Sequence, residues 1–128
     1  MSAEAGVPGA PRLGALETRV MDVLWDHGPA TVREVITQLP TTPAYTTIAT
    51  VLQNLGRKGM VRPDRQGRST RYVPCLSRQE HTVSQIDRLL DTSQDRAASI
   101  LHFVDSMPES DLALLRDYLA ARGPGQER

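Results

Sequence analysis

Between Pro40 and Gly59 the chain sets an apolar stripe along one side of a helix and carries no carboxylate at any other position. Ile48, Val51, Leu52 and Leu55 fall at i, i+3, i+4 and i+7, the spacing of a single helical face. The remaining positions include Thr46, Thr47, Thr50, Gln53, Asn54 and Arg57. An ordinary surface helix mixes Glu and Lys there, and threonines lower helix propensity. An outer face of this kind answers to a partner rather than to water. Short hydroxyls reach base edges and phosphates, and a threonine methyl can touch the thymine C5-methyl in a DNA major groove. The spacing predicts a helix over 43–58, with Thr42 as its cap and Pro43 at its first position.

The flanking segments give this helix a setting. From Leu13 the apolar residues Leu16, Val20, Val23 and Leu24, widened by Met21 and Trp25, mark a first helix that stops at His27-Gly28-Pro29. Gly28 is expected to act as a left-handed cap. Thr31-Val32-Arg33-Glu34 is a capping box that opens a short second helix burying Val32, Val35, Ile36 and Leu39. After Gly59, residues 60–65 and 69–73 read as two short strands joined at Gln66-Gly67-Arg68, with Gly67 supplying the positive φ. Pro63 suggests an edge strand or an irregular start for the first of them. Helix, helix, turn, polar-faced helix and basic hairpin is the order of a winged helix-turn-helix. In that layout the third helix enters the major groove and the hairpin lies on neighbouring phosphates or in the minor groove.

Charge supports the same division. The 128 residues have a formal net charge of zero, but residues 1–75 hold nine basic and six acidic side chains and residues 76–128 hold six and nine. Arg57, Lys58, Arg62, Arg65, Arg68 and Arg71 stand against Asp64 alone. Such a patch attracts polyanions whatever the total charge. Of the 15 basic residues 14 are Arg, whose fork suits phosphate and guanine. No apolar run approaches the ~20 residues of a spanning helix, so no direct membrane insertion is expected. The single cysteine, Cys75, excludes an internal disulfide and a Cys-rich zinc site, and reads as a buried or inert thiol. The first residues lack the basic start and apolar stretch of a secretory signal, which points to a cytoplasmic protein.

Past Pro74 the pattern changes. Ser77-Arg78-Gln79-Glu80 is a second capping box, leading a helix with Val83, Ile86, Leu89 and Leu90. Ser93 is the expected cap of another helix, with Ala97, Ile100, Leu101 and Val104 on one face and Phe103 beside it. A last helix, beginning within 106–110, carries Leu112, Leu114, Leu115, Tyr118 and Leu119 and ends at Arg122-Gly123. Three short amphipathic helices make a marginal core alone. A second copy of the chain would complete it, burying Leu89, Leu90, Ile100, Leu101, Phe103, Val104, Leu112, Leu115 and Leu119. The alternative is an intramolecular bundle. The expected class is therefore mainly α with a small β-hairpin wing. A loose N-terminus (1–11) is followed by a winged helix-turn-helix domain (12–75), a helical dimerisation module (76–122) and a flexible tail (123–128).

Four stretches carry a resemblance: Leu13 to Trp25, Thr31 to Val35, Ala44 to Leu55 with Lys58-Gly59, and Gly67-Arg68 followed by Tyr72. In this order and spacing the chain resembles the penicillinase-repressor family (BlaI/MecI type). The resemblance is close over about 12–73 and continues in helix count and in Ile100-Leu101-His102-Phe103-Val104. It implies a homodimeric repressor on an inverted repeat in double-stranded promoter DNA, each winged domain reading one half-site. It also implies release through a membrane sensor-protease pathway that leads to cleavage in the dimerisation helices at an Asn-Phe bond. The matching bond here is His102–Phe103, with His in place of Asn. Staphylococcal members carry Lys-Thr where this chain has Thr46-Thr47, so Thr47 carries over and Thr46 departs. Copper-responsive members have a C-terminal cysteine motif that this chain lacks.

The candidate DNA-contacting residues are Tyr45, Thr46, Thr47, Thr50, Arg57, Arg65, Arg68 and Arg71. Thr46 or Thr47 could instead cap or pack locally, and Tyr45 either donates to a phosphate or packs against the turn. Arg12 and Arg33 are secondary phosphate candidates, and Lys58 is expected to complement the helix dipole. Trp25 reads as core. His27, His81 and His102 lack metal-ligand spacing, so no metal site and no cofactor are expected. No catalytic motif is recognisable, which argues against an enzyme. A second reading is a winged-helix regulator that answers to a small molecule or to redox change.

Overall fold

The computed structural model describes residues 11–124, so the expected loose ends at 1–10 and 125–128 lie outside the described residues. The elements follow the order α1 (Ala15–His27), α2 (Val32–Gln38), α3 (Tyr45–Arg57), β1 (Val61–Gln66), β2 (Ser69–Pro74), α4 (Arg78–Thr92), α5 (Arg96–Asp105) and α6 (Glu109–Arg122). The described residues divide into two compact units that part between Asp87 and Arg88.

In the first unit α1, α2, α3 and the hairpin surround one core. Val20, Met21, Leu24, Val35, Ile48, Leu52, Leu55 and Met60 are fully buried, and Trp25, Ile36, Val51 and Tyr72 pack against them. The stripe predicted from spacing is thus the face that α3 buries. The starts of α1 and α2 have local causes. At α2 the capping box forms: the Glu34 N–H donates to Thr31 Oγ1 at 3.2 Å and the Thr31 N–H donates to Glu34 Oε1 at 2.9 Å. At α1 the same job falls to Glu17, whose Oε1 accepts from the Gly14 N–H at 2.8 Å. Gly28 closes α1 with φ 90 and ψ −179, a positive φ but not the left-handed helical conformation expected.

Thr42 does not cap α3. Thr42 sits at φ 48, outside the extended backbone that a capping residue adopts, and the helix starts only at Tyr45, behind Ala44, with no side-chain cap.

The hairpin pairs Val61 with Pro74 through Gln66 with Ser69, leaving Gly67-Arg68 as a two-residue loop. Gly67 has φ 62 and Arg68 does not share a positive φ, the sign pattern of a type II′ turn. Tyr72 turns its backbone away from Pro63, its partner in register. Its N–H donates to Ala30 O at 2.8 Å and its carbonyl accepts from the Ala30 N–H at 3.3 Å. Pro63 therefore sits at a non-hydrogen-bonded pair on an edge strand, where a missing donor costs nothing. The short bridge to Ala30 fixes the wing to the α1–α2 connection.

The second capping box also forms, with the Ser77 N–H donating to Glu80 Oε1 at 2.8 Å and the Glu80 N–H to Ser77 Oγ at 3.0 Å. The first half of α4 then packs on α1, so the winged unit runs to Asp87, beyond the sequence-based boundary at 75. Trp25 Nε1 donates to Leu76 O at 3.0 Å, and Arg78 reaches Asp22 and Asp26 at 3.1 and 2.9 Å. The same guanidinium stands 5.3 Å from the Trp25 ring centroid, and the His81 ring stands 5.6 Å from it.

In the second unit Asp95, not Ser93, caps α5, accepting from the Ala98 N–H at 3.0 Å. Ser93 Oγ is already held by the Asp95 N–H and by the Ser99 hydroxyl. None of the residues of α4, α5 or α6 is buried.

Candidate nucleic-acid interface

The two faces of α3 separate cleanly. Ile48, Leu52 and Leu55 point into the core, whereas Thr46, Thr47, Thr50, Gln53 and Arg57 are exposed. Tyr45 opens the helix, half-exposed, with the Arg33 guanidinium 5.3 Å from its ring centroid. Arg57 donates to Asn54 Oδ1 within the same helix. Beyond Gly59 the wing offers Arg65 near the end of β1 and Arg68 in the loop, both exposed. α3 and the wing are adjacent: a recess between them is lined by Gln53, Arg57, Val61, Arg62 and Pro63.

Arg71 is placed differently. Its Nη1 donates to Glu34 Oε1 at 3.0 Å and to Pro29 O at 3.3 Å, and Asp64 lies opposite it in the hairpin register. It ties β2 to α2. The Glu34 carboxyl is held below its ordinary value, first by the Thr31 backbone N–H and then, against a desolvation cost, by the positive charge of Arg71.

Lys58 departs from its expected role at the helix dipole. Its ammonium donates to Glu17 Oε1 and to Arg12 O, each at 2.7 Å. Burial works to raise the Glu17 pKa, but the Lys58 hydrogen bond and the Gly14 N–H prevail and lower it. The pair locks the end of α3 to the start of α1. Sequence periodicity missed it, because its partners lie 41 positions apart. An acid among the apolar positions of α1 was the one local signal.

The candidate dimerisation residues carry an exposed apolar surface. Leu101 is 64% exposed, Leu89 62%, Phe103 54% and Leu119 53%, while Leu90, Val104, Leu112 and Leu115 are half-buried. The His102–Phe103 bond lies within α5. Cys75 is not buried: it is an exposed free thiol at the exit of β2, where the chain leaves the hairpin. Among the described residues no helix is long and apolar enough to cross a membrane.

A three-helix core with an acid-free third helix and an arginine-tipped hairpin defines a winged-helix DNA-binding regulator. Comparison with known proteins narrows the class. The family model described as "Penicillinase repressor" matches residues 13–121, and the chain belongs to that family. The "Transcriptional regulator BlaI" of Mycobacterium tuberculosis is 39% identical over 115 residues, covering 85% of this chain and 83% of its own length. The "Penicillinase repressor" of Bacillus licheniformis is 32% identical over 73 residues, covering 56% of this chain and 57% of its own. Among solved structures, the solution structure of the DNA binding domain of the repressor BlaI aligns with a TM-score of 0.50 at 32% identity, covering 56% of this chain and 89% of that one.

Proposed function

We propose that the chain is a transcriptional repressor that binds double-stranded promoter DNA as a homodimer, one winged unit on each half of an inverted repeat. The observation that carries this reading is the set of exposed hydroxyl, amide and guanidinium groups on α3 from Tyr45 to Arg57, with no carboxylate on that face, beside a wing that exposes Arg65 and Arg68. Thr46, Thr47 and Thr50 read base edges in the major groove, while Arg57, Arg65 and Arg68 hold phosphates. Arg71 acts by anchoring the wing. Two-fold symmetry would set half-site centres about one helical turn apart, ~34–36 Å.

The homodimer is supported by the apolar residues that α4, α5 and α6 leave exposed. A second copy of the chain is the occupant that fits, because its face is the same and a symmetric repeat needs two readers. Loss of this association is the proposed route to derepression. Were it to proceed by cleavage at His102–Phe103, α5 would first have to unwind locally, since a protease needs extended backbone.

The test is the salt dependence of binding to a promoter duplex. If each protomer neutralises ~4–5 phosphates, log K falls against log salt with a dimer slope of roughly −7 to −9. Binding with a flat salt profile would remove the arginines from the interface.

A further inference from the structure

We infer that a cleft between α2, the start of α3 and the wing is the seat of one backbone phosphate of the duplex, with Arg33 as a ligand that the α3 face does not include. The inference rests on the DNA-binding reading and adds an anchor outside the recognition helix. The cleft has a volume of about 320 Å³ and is lined by Arg33 of α2, by Tyr45 at the start of α3 and by Arg68, Ser69 and Thr70 of the wing. It joins guanidiniums from two separate elements with several hydroxyls, and no carboxylate lines it. Glu34, the acid next to Arg33 in sequence, is turned to the Thr31 N–H and to Arg71 and is neutralised there. The neighbouring depression that Glu34 and Arg71 do line is the contrast, because its charges satisfy one another.

Three features hold the walls at a fixed distance. The Ala30–Tyr72 bridge joins the wing to the approach of α2. The Thr31–Glu34 box sets the first turn of α2. The Tyr45 ring, 5.3 Å from the Arg33 guanidinium, restrains that long side chain before any ligand arrives. A phosphodiester has two free oxygens and one charge. Two guanidiniums from separate elements, with hydroxyl donors lining the same cleft, match it, and the fork of Arg supplies two parallel donors per oxygen pair.

The experiment uses the full chain and an operator duplex recovered by in-vitro selection, with single methylphosphonates placed along each strand. One position per half-site should weaken wild-type binding by roughly tenfold. The variant Arg33→Ala should bind unmodified DNA with a similar loss, show a salt slope shallower by about 0.9 per protomer, and lose nothing further at that one position. Arg19→Ala, which removes the same charge from α1, should keep the wild-type profile. Far-UV circular dichroism checks that both variants fold. An unchanged salt slope in Arg33→Ala, or losses additive at every position, overturns the seat and leaves the DNA reading intact. Wild-type protein that fails to bind duplex at all overturns both.

Discussion

Thr47 and Arg68 stand on neighbouring elements but would fail in different ways. A hydroxyl that reads a base edge discriminates, so Thr47→Ala should cost ~1–3 kcal/mol of preference for the operator over a mismatched duplex, measured by competition. A guanidinium on a phosphate only anchors, so Arg68→Ala should weaken binding to all sequences about equally and flatten the salt slope. A selective loss on one operator would reassign Arg68 to base readout. Arg71 shows where sequence reasoning stops at this scale. Its position in the basic run groups it with Arg65 and Arg68, yet its nearest acid is Glu34, 37 positions away. The same blindness hid the pairing of Glu17 with Lys58. Local spacing says which side chains share an element, not which elements fold back on each other.

At the scale of the element, what was legible in the sequence was whatever is decided within a turn or two. Both capping boxes, at Thr31–Glu34 and Ser77–Glu80, form as their spacing requires, and the buried stripe of α3 is the one its periodicity marks. Leu52 is fully buried in that stripe, so Leu52→Ala should destabilise the winged unit by about 2–5 kcal/mol, read from thermal or denaturant unfolding. Element starts were less legible where two local preferences compete, as at Thr42 before Pro43 and at Ser93 before Asp95. The first half of α4 is another case, because its attachment to α1 depends on Trp25, Arg78 and His81 meeting across more than 50 positions. Burial lowers the His81 pKa below its ordinary value of 6.5, and its Nδ1 is buried without a hydrogen-bond partner among the described residues. A depressed imidazole favours the neutral form in the folded state. Its contribution to stability is complete above pH 6.5 and is lost as pH falls below that value toward the folded pKa. The unfolding midpoint should therefore drop on acidification from pH 7.5 to 5, and His81→Leu should reduce that drop. An identical pH profile in the variant would show that other groups govern it.

Over the whole molecule, the two units divide the labour by surface chemistry. One has a closed core and a polar, cationic face, while the other has helices that leave Leu101, Phe103 and Leu119 exposed. Leu101→Asp or Phe103→Asp should give monomers in sedimentation with weakened operator binding, since a single winged unit forgoes the avidity of two. An unchanged dimer would take those residues out of the association surface. The net charge of zero concealed this division, and only the charge count by halves revealed it.

The tether between Ala30 and Tyr72 has a consequence for target choice. A hairpin stapled to the scaffold cannot swing to follow a groove that is too wide or too narrow. The misfit must then be taken up by the double helix itself, at an elastic cost that depends on base steps the protein never touches. Operators for this repressor should accordingly share deformable steps at fixed places between their contacted bases, a signature that would emerge from selected sequences as preference without contact.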